Sequence, residues 1–112
     1  MGLFKKHPNL DISSLPPAPS GPDASTDLPI WPSGIARFSD GILEVTTGGG
    51  LRVARRDIIE LGVKPPRAGR LSLRINHRAG LEKRTYGYWV EERHAAALRG
   101  LVERINAHPD AA

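Results

Sequence analysis

Three consecutive glycines, Gly48–Gly50, stand between two hydrophobic runs in "EVTTGGGLRVARRD" (44–57), with Arg52, Arg55 and Arg56 just beyond. Backbone N–H groups freed by glycine can cradle phosphate, and arginines can neutralise it, so the first chemistry to weigh here is anion binding. Two versions fail on spacing. A Walker loop ends in Gly-Lys-Ser/Thr, so that lysine reaches the phosphates and the hydroxyl holds Mg²⁺. Here Gly50 is followed by Leu51 and Arg52. A dinucleotide-binding turn leads from a strand into a helix, whereas "LRVAR" (51–55) alternates like a strand. The glycines are therefore read as a hairpin tip, where they supply backbone conformations that side chains disfavour.

Other candidates are weaker. Alternation sends Arg52 and Arg56 to one side and Arg55 to the other, unless the strand bends at "RRD" (55–57). In "KRTYGYWV" (83–90), Arg84, Tyr86 and Tyr88 share one face, and Thr85, Gly87 and Trp89 the other. Aromatics interleaved with arginine can stack on bases, and Arg70, Arg74 and Arg78 would add an electrostatic stripe, but there is no RNP-type motif. Aromatics in such a strand also serve as core. His7, His77, His94 and His108 have no metal-ligand spacing. Ser13, Ser14 and Ser20 lie in a proline-rich stretch that could not hold a catalytic geometry, and Glu91 and Glu92 are helix neighbours that do not face each other. With no nucleophile, base and orienting group together, the reading is a non-enzyme without metal or cofactor.

These residues are positioned by a regular series of elements. Period-two alternation gives six short strands: "IARFS" (35–39), "ILEVTT" (42–47), "LRVAR" (51–55), "DIIELGVK" (57–64), "RLSLRINH" (70–77) and "KRTYGYWV" (83–90). "SDG" (39–41) and "RAG" (78–80) read as turns, and "PPRAG" (65–69) as a loop, since proline cannot continue a ladder. The period then shifts to 3.6 over about 91–107, with Leu98, Leu101, Val102 and Ile105 on one face and Pro109 beyond. The fold class expected is mainly β: a small antiparallel, partly open barrel or bent sheet capped by one C-terminal amphipathic helix.

The first third differs. Residues 1–34 hold seven of the ten prolines, with scattered apolar side chains. Such a segment buries too little to offset its ordering entropy, so it reads as a flexible leader before a folded domain at 35–108. The leader carries a charge of −1, from Lys5 and Lys6 against Asp11, Asp23 and Asp27, and the remainder +5. Twelve of the sixteen cations are arginine, which suits bidentate contact with carboxylate or phosphate. A GC-rich genome would produce the same bias. There is no cysteine, which excludes disulfide and thiolate chemistry. No apolar run is long enough to span a bilayer. "MGLFKKHP" (1–8) lacks the pattern of a secretory signal. The expected location is cytoplasmic.

The stretch "GILEVTTGGGLRVARRDIIELGVKPPRAGRLSLRI" (41–75), followed by the helix "ALRGLVERI" (97–105), resembles the pleckstrin-homology-like superfold in its bacterial form. It is similar to small uncharacterised actinobacterial domains of that kind, over roughly residues 35–107. The resemblance implies seven strands where six are counted, so "LPIW" (28–31) is the candidate for the missing one and Trp31 for an anchor. It also implies that basic residues beside an early hairpin can hold an inositol phosphate headgroup. The speculative ligand-binding set is accordingly Arg52, Arg55, Arg56, Arg74 and Arg84. The superfold hosts lipid, peptide and protein binders, so fold does not select among them. The reading is a non-catalytic adaptor for a protein or peptide, with an edge strand open to strand addition and arginines favouring acidic partners. An anionic membrane surface is the alternative, and single-stranded nucleic acid stands third.

Overall fold

The computed structural model describes residues 12–17, 27–47 and 49–109. Alternating apolar residues and tight turns build two antiparallel sheets. The first has four strands in sequence order: β1 (Asp27–Pro29), β2 (Ile35–Ser39), β3 (Ile42–Val45) and β4 (Leu51–Ala54). Leu28 faces Ala36, Phe38 faces Leu43, and Leu43 faces Val53, so one face of this sheet is continuously apolar. The second has three strands: β5 (Ile58–Arg67), β6 (Arg70–Ala79) and β7 (Glu82–Glu91). Its central strand buries Leu71, Leu73, Ile75 and His77 at alternate positions.

A short 3₁₀ turn, Arg55–Asp57, carries the chain from β4 into β5 and so from one sheet to the other. The helix α1 (Ala95–Ala107) covers the space between them, burying Leu98, Leu101, Val102 and Ile105. These are the positions that the 3.6-residue period marks. Each such side chain taken fully out of water contributes roughly 1.5–3 kcal/mol. The sheets do not close into a barrel. Among the described residues the bridge between them is Trp31 to Trp89, where the Trp31 N–H donates to the Trp89 carbonyl at 2.8 Å.

The structure departs from the sequence reading at several places. The seventh strand, for which "LPIW" (28–31) is the candidate, exists as β1, with Trp31 docked at Trp89 just beyond it, so the ordered part begins before residue 35. Leu28 is fully buried, Ile30 is buried, and Leu15 joins the same core, its carbonyl accepting from Arg99 Nη1 at 3.0 Å. The flexible-leader expectation otherwise falls on residues 1–11 and 18–26, outside the described residues. Pro65 and Pro66 lie within β5, not in a loop. They are tolerated because β5 is an edge strand and its pairing with β6 shifts register between Lys64 and Arg67, where no ladder N–H is required. The helix starts at Ala95 and not at 91. Glu91 still pairs with Arg70, and the Glu92 N–H is committed to the Gly69 carbonyl at 2.9 Å.

The glycine run does form a hairpin, with β3 and β4 meeting at the Val45–Leu51 pair. Gly50 takes φ +83° and its N–H closes onto the Thr47 carbonyl at 3.0 Å. Gly48 is outside the described residues. At Gly34 the need for glycine is steric as well as conformational. Its φ is +103°, and a Cβ there would stand 2.8 Å from the Thr47 Cβ.

Candidate functional site

The five arginines singled out from the sequence do not converge. Arg55 is buried, at 8% exposure, and its guanidinium works inside the molecule. Its Nε donates to the Ile105 carbonyl at 2.7 Å and its Nη1 to the Ile58 carbonyl at 3.2 Å. Ile105 lies in the last turn of α1, where carbonyls lack helical partners and a cation is favoured. Arg55 is thus a cap that pins the helix end to the corner between the sheets. Its burial was legible in part, because Leu51 and Val53 face the core and Arg55 continues their phase.

Arg52 is exposed and occupied. Its Nη1 donates to Glu44 Oε2 at 2.9 Å on the outer face of the first sheet. Across the same row, Arg37 makes a bidentate contact with Asp27 at 2.8 and 3.0 Å. Asp27, Arg37, Glu44 and Arg52 therefore form a ladder of alternating charge across β1 to β4. The hydrogen bond from Arg37 is the main reason the Asp27 carboxyl lies below its ordinary value. That face is electrically balanced. Arg56 is exposed at the corner, where its carbonyl accepts from Arg78 Nη1 at 3.2 Å. Arg84, near the start of β7, donates to Glu82 Oε1 at 3.2 Å. That hydrogen bond first, then Tyr86, raises its pKa further.

Arg74 is different. It is exposed on the outer face of β6, between Gly62 of β5 and Gly87 of β7, with no hydrogen-bond or ion-pair partner among the described residues. The register puts Lys64, Arg67, Arg70, Arg78 and Lys83 on the same face, against the carboxylates of Glu60 and Glu91. The stripe Arg70–Arg74–Arg78 is therefore real, and this face is strongly basic. Arg70 is placed 3.6 Å over the Trp31 ring, a cation–π contact at one corner of it. Trp89 shares the face and is 46% exposed. Tyr86 and Tyr88 do not share it. They pair with Ile75 and Leu73 and turn inward, so the tyrosines and the arginine stripe are on opposite sides of the sheet.

One edge of the second sheet is open among the described residues. β5 forms the other edge, and its prolines and register shift guard it against pairing. β7 has neither. Trp31 occupies the β7 edge at Trp89, and beyond that point a groove of about 450 Å³ runs between β7 and the glycine hairpin. Tyr86, Gly87, Tyr88 and Trp89 make one wall, Thr47, Gly49 and Gly50 the other, and Ile30 and Trp31 close one end. Among the described residues that line it there is no carboxylate, imidazole or thiol. Burial raises the Tyr88 phenol, with Tyr86 adding to the effect, so it remains a neutral hydroxyl near pH 7.

The histidines are dispersed. His77 is buried, donates from Nδ1 to the Arg78 carbonyl at 2.9 Å and stacks on Tyr86. His94 is half-buried before the helix, and His108 packs edge-on against Phe38. His7 lies outside the described residues. Among the described residues no group of three His, Asp or Glu could hold a metal ion, and no helix is long and apolar enough to cross a membrane.

Compared with known proteins, the chain matches no family model, no curated protein and no solved structure. The site must be read from its own geometry.

Proposed function

We propose that the chain is a non-catalytic binding module that takes up an extended segment of a protein partner as an added strand on β7. The observation that carries this is the free edge itself. The Trp89 carbonyl points away from β6, toward Trp31. Backbone direction alternates along a strand, so the N–H and C=O of Gly87 and Thr85 point the same way, outward from the β7 edge, with Gly87 lining the groove. A peptide there would satisfy them as a fourth strand. Seven strands followed by one C-terminal helix also suit the pleckstrin-homology-like resemblance, which we retain as part of the proposal.

The test is selection of linear peptides from a displayed library on the full chain, followed by anisotropy titration with Gly87→Pro. Proline removes the central donor and is tolerated on an edge. Selected peptides are expected to lose binding in this variant while circular dichroism and melting stay as in the parent. Undiminished binding, or no selectable peptide, overturns the proposal.

A second reading, adsorption to an anionic membrane surface, is favoured by the basic outer face with its exposed Trp89. Sedimentation with anionic and neutral vesicles separates the two, using a variant with Arg67, Arg74 and Lys83 changed to Gln. Equal pelleting of both proteins with both vesicle types removes this reading. The third reading, single-stranded nucleic acid, gains less, because the tyrosines face away from the cations.

A further inference from the structure

We infer that the β7 edge selects an acidic side chain on the peptide residue that faces Gly87, with apolar residues on either side of it. The inference rests on the strand-addition reading above and specifies its ligand.

The register follows from the backbone. Gly87 aims both of its hydrogen-bonding groups at the groove, so an antiparallel peptide residue directly opposite would exchange both bonds with it. Residues paired in this way project from the same face of a sheet. Gly87 belongs to the outer face, as does its partner on the other side, Arg74. The peptide side chain facing Gly87 would therefore emerge on the basic face.

The space above Gly87 is open: a Cβ built there meets nothing within 4 Å. Neighbouring strands are about 4.8 Å apart, so the peptide backbone and β6 would be about 10 Å apart. A side chain at residue 87 would stand between them. Glycine leaves the gap, and arginine is long enough to reach across it to a Glu or Asp. Arg74 is the suitable partner because its charge is not already spent in a contact, unlike Arg52, Arg55 and Arg84. Lys83 and Arg78, paired across the same face, strengthen the field. An Arg–carboxylate pair in this setting is planar and bidentate, which gives charge selectivity as well as attraction.

The peptide residues before and after the acid point to the opposite face, into the groove beside Tyr86, Tyr88 and Ile30. That surface suits apolar side chains of moderate size. The preferred pattern is thus apolar–acidic–apolar, in an extended segment.

The experiment uses the full chain and a set of labelled peptides in which Glu, Gln or Lys is fixed between valines on a Thr/Val background. In the parent protein the Glu peptide is expected to bind about tenfold more tightly than the Gln peptide, and the Lys peptide most weakly. In Arg74→Gln the Glu and Gln peptides are expected to become equal. In Arg74→Glu the order is expected to reverse in favour of Lys. An unchanged Glu/Gln ratio in Arg74→Gln overturns the inference while leaving strand addition standing. Binding that survives both Gly87→Pro and Thr85→Pro, or the absence of binding by any peptide, overturns strand addition itself. Sedimentation velocity covers the remaining occupant: a concentration-dependent dimer abolished by Gly87→Pro would assign the edge to a second copy of the chain and overturn the peptide ligand.

Discussion

The Arg55 guanidinium donates to the carbonyl of Ile105, fifty residues further along the chain, at 2.7 Å. That carbonyl also accepts the His108 N–H at 3.3 Å. One arginine therefore closes the end of the helix and ties it to the turn where the chain passes between sheets. The three arginines of "RVARR" have three different fates: a cross-strand ion pair, a buried cap and an exposed corner.

Arg55→Ala is expected to lower the unfolding free energy by about 3 kcal/mol, because two charge-assisted hydrogen bonds and the packing of the side-chain stem are lost together. Arg55→Lys should fall between, since one ammonium cannot serve both carbonyls as the planar fork does. Arg52→Ala and Arg56→Ala should leave the urea midpoint nearly unchanged. A midpoint shift for Arg55→Ala no larger than for these two would contradict the capping role.

Leu28 is fully buried, although it belongs to a stretch with the composition of a tail. Leu28→Ala is expected to cost roughly 2–5 kcal/mol by leaving a cavity. A chain shortened to begin at Ile35 should lose its cooperative thermal transition. Retention of the parent's melting temperature in either would show that β1 is dispensable.

Asp27 gives a pH dependence. Its folded-state pKa is lowered from 3.8, chiefly by the Arg37 hydrogen bond. A depressed carboxyl contributes stability above its unfolded value and loses it as pH falls through the folded value. Asp27→Asn should therefore be less stable than the parent near neutrality and converge on it as pH falls through the lowered folded value. The effect is small because the pair is partly exposed to solvent. Denaturant titrations across that range measure it. A gap that persists at the acid end would point to shape and not charge.

Ala68 sits in the left-handed region at φ +56°, in the two-residue turn joining β5 to β6. That conformation costs a non-glycine residue of this kind about 1 kcal/mol. Ala68→Gly or Ala68→Asn is expected to raise stability by roughly 0.5–1 kcal/mol. No gain in melting temperature from either would mean that the turn is not strained.

Strand identity and the helix stripe were legible because burial imposes strict periods on Leu71, Leu73 and Ile75 and on Leu98, Leu101 and Ile105. β1 was legible only as a candidate, "LPIW" (28–31): a three-residue strand ending in Pro29 carries too little pattern, and its pairing of Leu28 with Ala36 appears only in the fold. Pro65 and Pro66 misled for a related reason. Their meaning depends on whether the strand is central or at an edge, which sheet order decides and local sequence does not. The candidate site was legible only as ingredients. Gly87 and Arg74 lie thirteen positions apart in the chain and become neighbours through the β6–β7 register. Arg55 and Arg74 look alike in the sequence, and only the third dimension makes one a bolt and the other a free hand.

Helix α1 packs against β1 and β2 as well as β7, so it completes a core to which strands of both sheets contribute. Until residues 95–107 are in place, the buried side chains of Leu98, Leu101 and Ile105 are missing from that core. Closure of the core therefore waits on an element far along the chain from β1, and β1 is not fully covered when it is made. A nascent chain halted before Ala95 would carry strands short of their cover, a species open to aggregation or to capture by chaperones.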